Sequence, residues 1–192
     1  MQAATPYPAQ LSVDYPDGSR NRLTVAFRLI LAIPILLVAA ATRAGVLFVA
    51  TLLMLVFRHK YPSWWYDWNL NIIRFFNRVV AYLLLLRDEY PSTDEAQHVH
   101  VELPDPQSGA AVSQWLPLVK WFLIIPQIVV LVLLGIASIV VTIFAWLVII
   151  ITGRHPRGLH GFVVGVLRWG LRVEAYAFAL VTDEYPPFRL AP

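Results

Sequence analysis

Residues 128–151 form a run of 24 without one charged side chain, and no other feature of the chain restricts its fold so sharply. As a helix this run extends about 36 Å, enough to cross a hydrocarbon core of about 30 Å with some tilt. A second run, residues 35–57, is interrupted only by Arg43. With them go 58% apolar residues, only 14% charged residues and a mean hydropathy of +0.63. Soluble chains carry about 45–50% apolar and about 25% charged residues. A chain of 192 residues has too little interior to hide the surplus. The composition excludes a disordered chain and implies an all-α integral membrane protein.

Both runs belong to longer apolar stretches, residues 23–57 and 116–152. Straight helices of that length would reach roughly 55 Å, well past the core, so each stretch has to bend. Pro34 and Pro126 sit where a kink would divide an interfacial amphipathic helix from a span, with Arg28 and Lys120 reaching headgroups. The alternative is a re-entrant hairpin, turning near Thr42-Arg43-Ala44-Gly45 and near Gly135. Two further stretches, residues 68–86 and 161–181, carry a polar stripe. Asn71, Arg74, Arg78 and Ala81 recur at i, i+3, i+7 and i+10, and Gly165, Arg168, Arg172 and Ala175 repeat that spacing. Such helices lie along the interface or cross with the stripe inward, and paired arginines make crossing expensive. Four spans are the preferred reading and two the alternative.

The first two stretches resemble the last two. Arg28, Leu31, Ile33 and Pro34 match Lys120, Leu123, Ile125 and Pro126; Pro62, Arg74, Arg78, Val79, Ala81 and Tyr82 match Pro156, Arg168, Arg172, Val173, Ala175 and Tyr176. Asp88-Glu89-Tyr90-Pro91 then matches Asp183-Glu184-Tyr185-Pro186. Three matches in one order imply an internal duplication: a polar segment 1–22, a membrane repeat 23–91, a polar linker 92–113 and a second repeat 114–192. Each repeat is a Pro-kinked long helix plus an Arg-striped amphipathic helix. Alternating residues in 11–15 and 99–103 predict two short strands that pair over the membrane face. Evenly crossing repeats would share one orientation, with Arg20, Arg22, Arg28, Arg87, Lys120 and Arg189 facing Arg58, Lys60, Arg154 and Arg157 across the bilayer. That bias places both termini in the cytoplasm. The first 22 residues have neither a basic n-region nor an apolar h-region, so no cleavable signal peptide is expected.

The chemistry on offer is sparse. Arg74 with Arg78, and Arg168 with Arg172, present guanidiniums one turn apart that suit a lipid phosphate or a partner carboxylate; the plainer reading is snorkelling anchors. Arg43 within an apolar run calls for protein, water or a hairpin tip around it. Gly161 and Gly165 form a small-x-x-x-small pair that permits close helix packing or a partner contact. Trp64, Trp65, Trp68, Trp115 and Trp121 read as interface anchors. The Asp-Glu-Tyr-Pro tetrads read chiefly as helix terminators, because proline cannot continue a helix. A carboxylate acid/base or cation-binding role is the alternative. His98, His100, His155 and His160 lack a third ligand at metal spacing, so no metal is expected. No Walker loop, dinucleotide fingerprint or nucleophile elbow is present, and no cofactor is expected. With no cysteine there is no disulfide or thiolate chemistry. The net charge of +3 and pI of about 9.4 suit anionic lipid, and the absence of a Lys/Arg run argues against nucleic acid.

Thr152-Gly153-Arg154-His155-Pro156-Arg157-Gly158, then Leu167-Arg168-Trp169 through Tyr176, then Asp183-Glu184-Tyr185-Pro186-Pro187-Phe188 resemble an uncharacterised family of actinobacterial membrane proteins. That family is built on a domain of unknown function, often duplicated. The resemblance extends to Asn21-Arg22-Leu23 and to the Ile-Pro of each first helix. The amino-terminal copy departs from it at Arg58-His59-Lys60-Tyr61-Pro62. It implies a bacterial cytoplasmic-membrane protein and brings no activity or catalytic residue. The expectation is a non-enzymatic accessory subunit stabilising a larger envelope or transport complex, in contact with anionic phospholipid and other membrane subunits. A lipid-handling protein gripping headgroups with its paired arginines is the alternative. A membrane enzyme would look first to Asp88, Glu89, Asp183 and Glu184.

Overall fold

The computed structural model describes residues 7–16, 18–42, 46–93 and 95–192. Among them the chain runs β1 (Gln10–Val13), α1 (Arg22–Ala26), α2 (Arg28–Thr42), α3 (Val46–Arg58), α4 (Ser63–Leu83), β2 (Val99–Glu102), α5 (Pro117–Leu123), α6 (Ile125–Thr152) and α7 (Arg157–Ala177). The helical expectation holds, and so does the pair of short strands. β1 and β2 are antiparallel, with Leu11 opposite Val101 and Val13 opposite Val99. Both strands alternate buried and exposed positions, so these four side chains share one inner face.

The bends fall close to the prolines in one stretch and away from them in the other. The chain breaks at Ile124, and Pro126 occupies the first turn of α6, where its missing N–H costs nothing. Pro34 instead lies inside α2, and the break comes earlier, at Phe27. Asn21 starts α1 by accepting the N–H groups of Leu23 and Thr24 at its side-chain oxygen. Arg43 and the segment around it lie outside the described residues.

The elements stack in three layers. α2 sets Ala32, Ile35 and Ala39 against Phe75, Val79 and Tyr82 of α4. α3 joins it where the Trp65 indole donates to the Thr51 hydroxyl at 2.8 Å. In the same way α6 sets Val130, Leu131 and Leu134 against Trp169, Val173 and Tyr176 of α7. At 100° per residue, Ile73 and Ala81 of α4 and Val164, Leu171 and Ala175 of α7 point to the opposite side. There they meet Leu11, Val13, Val99 and Val101 of the sheet. α4 and α7 are therefore a middle layer between the sheet and a layer of apolar helices.

Among the described residues only α6 is long and apolar enough to cross a membrane, and 11% of its apolar window is buried. The buried core helix of a soluble protein would show the reverse. Ile128, Val132, Ile136, Ile139, Ile143 and Leu147 are exposed along one continuous face. Phe27, Leu29, Ile30, Ile33 and Leu37 extend the exposed apolar surface along α2.

Two extended segments link the ends of this stack. Gln127 near the start of α6 donates to the Pro186 carbonyl at 2.6 Å, so the tail after α7 lies beside that start. Tyr7 donates to the Glu184 carbonyl at 2.9 Å there, whereas the Arg20 N–H donates to Gly153, just past the other end of α6, at 2.9 Å. The linker runs the opposite way. It leaves Asp88, which pairs with Arg20 at 2.8 Å, and arrives at Ser113, whose N–H donates to the Asp183 carboxylate at 2.6 Å. The two segments meet midway as β1 and β2.

This geometry brings together residues that even crossings would separate. Arg20 and Arg22 were to face Arg154 across a bilayer, yet the Arg22 guanidinium stands 3.5 Å from where a Cβ on Gly153 would be. At the opposite end the Gln114 amide donates to Val56 at 2.8 Å, and His59 Nε2 lies 3.0 Å from the Val112 carbonyl oxygen. The start of each half thus adjoins the far end of the other half's apolar helix.

Candidate functional site

The arginine stripe is the cluster of ionisable groups that the sequence singles out, and its placement follows from the layering. The polar side of α4 and α7 faces the strands and the tail, whose outward carbonyls need donors. Arg74 Nε donates to the Val101 carbonyl at 3.2 Å and Arg168 Nε to the Leu11 carbonyl at 3.0 Å. Arg78 reaches the Ser92 carbonyl at 2.7 Å. Arg168 also holds Leu190 at 3.0 Å, and Arg172 holds Arg189 at 3.2 Å and Ala191 at 2.8 Å. Each guanidinium fastens an extended segment to a helix. Burial pulls the pKa of Arg168 and Arg172 below the usual arginine value, with the neighbouring Arg189 and Arg168 adding to the effect at Arg172.

Above the α7 pair lies a cavity of about 190 Å³, with Tyr7, Leu11, Ser12, Glu102, Arg168 and Arg172 among its lining residues. Arg172 is only 2% exposed, and its Nε has no hydrogen-bond partner among the described residues. Arg168 and Arg172 make this lining cationic, which suits an anionic group, and Glu102 in the lining works against one.

The tetrads have a second role that spacing along the chain does not reveal. Asp88 pairs with both Arg20 and Arg28, and Asp183 pairs with Lys120 at 2.8 Å. These cations are buried: Arg28 also donates to the Tyr82 carbonyl at 2.9 Å, and Lys120 to Thr182 at 2.7 Å. Arg28 stacks 4.2 Å from the Tyr82 ring, which Tyr90 meets edge-on at 5.7 Å. Lys120 lies 4.7 Å from the Tyr176 ring, which Tyr185 meets edge-on at 5.7 Å. The tetrads therefore tie the end of each middle-layer helix to the start of an apolar one. They do not terminate those helices. α4 ends in a Schellman turn, with Leu86 N–H bonded to the Ala81 carbonyl, Leu85 to Tyr82, and Leu85 itself left-handed at φ 60°. Leu180, at φ 56°, is the left-handed residue after α7.

The remaining candidates are dispersed. Gly165 faces Leu190 of the tail, so its smallness serves a tail contact, while a side chain on Gly161 would meet open space. Trp64, Trp68, Trp115 and Trp121 are exposed, and Trp65 is half-buried against Thr51. His98 contacts Glu89 at 3.1 Å and His100 contacts Asp14 at 3.3 Å. No group of three His, Asp or Glu side chains converges among the described residues.

One residue went unread in the sequence, and a histidine pair was read there only as candidate metal ligands. Gln127 is fully buried and, besides its bond to Pro186, accepts the Trp169 indole N–H at 2.5 Å. Its signal was a single amide beside Pro126 in an otherwise apolar run. His160 and His155 meet edge-on at 5.5 Å, and Tyr15 packs on His160 at 5.1 Å. Burial, helped by His155 and by Arg20 and Arg87, pushes His160 down to a pKa of about 4.

Residues 117–189 match the model of a family described as Domain of unknown function (DUF4389). The match covers less than half of the chain and falls within its second half. No curated protein and no solved structure matches the chain.

Proposed function

We propose that this chain is a non-enzymatic accessory subunit that stabilises a larger envelope or transport complex at the bacterial cytoplasmic membrane. The observation that carries this reading is the exposed apolar face of α6, continuous from Ile125 to Ile151. Such a surface is kept by a chain that meets lipid or other apolar helices. The ionisable groups support it from the other side. Of Asp88, Glu89, Asp183 and Glu184, the first suspects for acid/base work, Asp88 and Asp183 are each engaged by buried cations and Glu89 contacts His98 at 3.1 Å. The paired contacts of the two halves, Arg28 with Asp88 and Lys120 with Asp183, Arg74 on Val101 and Arg168 on Leu11, support descent from one duplicated unit.

The test is mass spectrometry on the protein purified gently from its own host, counting co-purifying proteins and lipids. A stoichiometric membrane partner is expected. A lone protein carrying one enriched anionic lipid overturns the subunit reading in favour of lipid handling, which the Arg168–Arg172 cavity supports. Arg74→Gln with Arg168→Gln separates the two further, since lipid handling requires lost lipid retention with intact assembly.

A further inference from the structure

We infer that α6 does not cross the bilayer, and that the apolar layer of α2, α3 and α6 lies flat in one leaflet of an anionic membrane. This rests on the membrane reading above and adds the way the protein is seated. The argument starts from the ends of α6. Tyr7 and Ser113 are fixed beside Glu184 and Asp183 at its start, and Arg20 and Asp88 are fixed beside Gly153 at its end. If α6 crossed, those ends would lie in different aqueous phases. Residues 7–20 and 88–113 would then each have to run through the hydrocarbon core alongside it.

Neither segment can do so. The outer face of the sheet exposes Gln10, Ser12, His100 and Glu102, and Glu95 and His98 are exposed in the same linker. Open strand edges are not found in contact with lipid, because their backbone groups have no other partner there. Nor is the sheet confined to one end. β1 lies at the middle of α7, where Arg168 donates to the Leu11 carbonyl at 3.0 Å, and α7 packs along α6.

Laid flat, the molecule meets each requirement. The apolar layer is one helix thick, about 10–12 Å, and fits within one leaflet of about 15 Å. Arg58 and Lys60 at one end, and Arg22, Arg154 and Arg157 at the other, are all exposed and come to a single headgroup level. The exposed indoles of Trp64, Trp68, Trp115 and Trp121 suit the same level. The sheet and the tail then face water.

The chain has no cysteine, so single thiols report sidedness directly. Ser19→Cys and Ser113→Cys sit on exposed positions at opposite ends of α6, and Ser12→Cys sits on the sheet between them. Each is treated with a membrane-impermeant maleimide in spheroplasts and in inverted vesicles. All three are expected to react in the same preparation and to be protected in the other. Reaction of Ser19→Cys and Ser113→Cys in opposite preparations overturns the flat seating while leaving the membrane reading intact. Recovery of the protein in the soluble fraction overturns both. Spin labels at Val129, Val140 and Ile151 give an independent readout. Equal depths are expected, and a maximum at Val140 with both ends shallow refutes the inference.

Discussion

Removing the Lys120 ammonium tests whether buried ion pairs, and not snorkelling cations, hold the apolar layer to the rest of the molecule. Lys120 is 0% exposed, with Asp183 at 2.8 Å and the Thr182 carbonyl at 2.7 Å. Lys120→Met keeps the length of the stem, so the loss is electrostatic and not a cavity. Breaking one side of a buried pair costs roughly 3–5 kcal/mol. The Asp183 side chain is 28% exposed and regains some hydration, which lowers the expected cost to roughly 2–4 kcal/mol. Asp183→Asn leaves the ammonium with the Thr182 carbonyl and the Tyr176 ring, and keeps an acceptor for the Ser113 N–H. Its cost is expected at roughly 2–3 kcal/mol.

The double variant decides the matter. With both charges gone, neither is left stranded, and the combined loss is expected to fall short of the sum by roughly 1–3 kcal/mol. The assay is denaturant unfolding in mild detergent, followed by tryptophan fluorescence with Trp121 next in the chain. Single losses below about 0.5 kcal/mol, or strict additivity, would refute the staple. In that case Lys120→Met should weaken vesicle binding instead, as a headgroup anchor would.

His160 gives a pH prediction with a definite sign. Its folded-state pKa of about 4 lies below the ordinary 6.5, so the unfolded chain takes up the proton first. Its contribution to stability is complete above pH 6.5 and is lost as the pH falls toward 4, by up to roughly 3 kcal/mol; an unchanged acid limb of the melting curve in His160→Phe would count against it. Gly161→Ala and Gly165→Ala should part company. The first enters open space in a helix and gains up to about 1 kcal/mol, while the second drives a Cβ to 2.9 Å from Leu190 and loses roughly 1–3 kcal/mol. Equal shifts in thermal unfolding would remove the tail contact. Arg168→Gln should release Leu11 and Leu190, exposing the amides of β1 to hydrogen exchange at a cost of roughly 1–2 kcal/mol, and unchanged protection would show that the strand holds without it.

Much of the local structure was legible because local rules decide it. Alternation in residues 11–15 and 99–103 marked the two strands, since a half-buried strand buries every second side chain. The stripe of Arg74, Arg78, Arg168 and Arg172 marked the polar sides of α4 and α7. The acceptors of those guanidiniums were not legible. They are backbone carbonyls, which carry no sequence signal, and Leu11 is remote from Arg168 in the chain. The ion pairs of Arg28 and Lys120 were hidden for the same reason, because their carboxylates come from distant tetrads. The end of α4 was hidden for another. Leucine has no preference for the left-handed region, and Leu85 takes it because its buried side chain packs with Val25 and Ile149.

Whether α6 crosses lay beyond any local rule, and the reason is physical. Hydropathy counts the apolar surface of a helix and is blind to its angle with the membrane. A run of 24 uncharged residues satisfies a crossing helix and an immersed one alike. The angle is set by what the polar remainder of the chain must do. Here that remainder is two short segments, each anchored at both ends of the same helix by Glu184, Gly153, Asp88 and Asp183. Deleting Glu95 and Ala96 from the linker would leave α6 its full hydropathy. It would also deny Ser113 its reach to Asp183, since a strand advances only about 3.3 Å per residue. The loss of that contact, read as faster amide exchange at Ser113 with α6 still helical, is the expected result. Unchanged exchange would mean that the linker has slack, and that the ends of α6 are not held in one aqueous phase by its length.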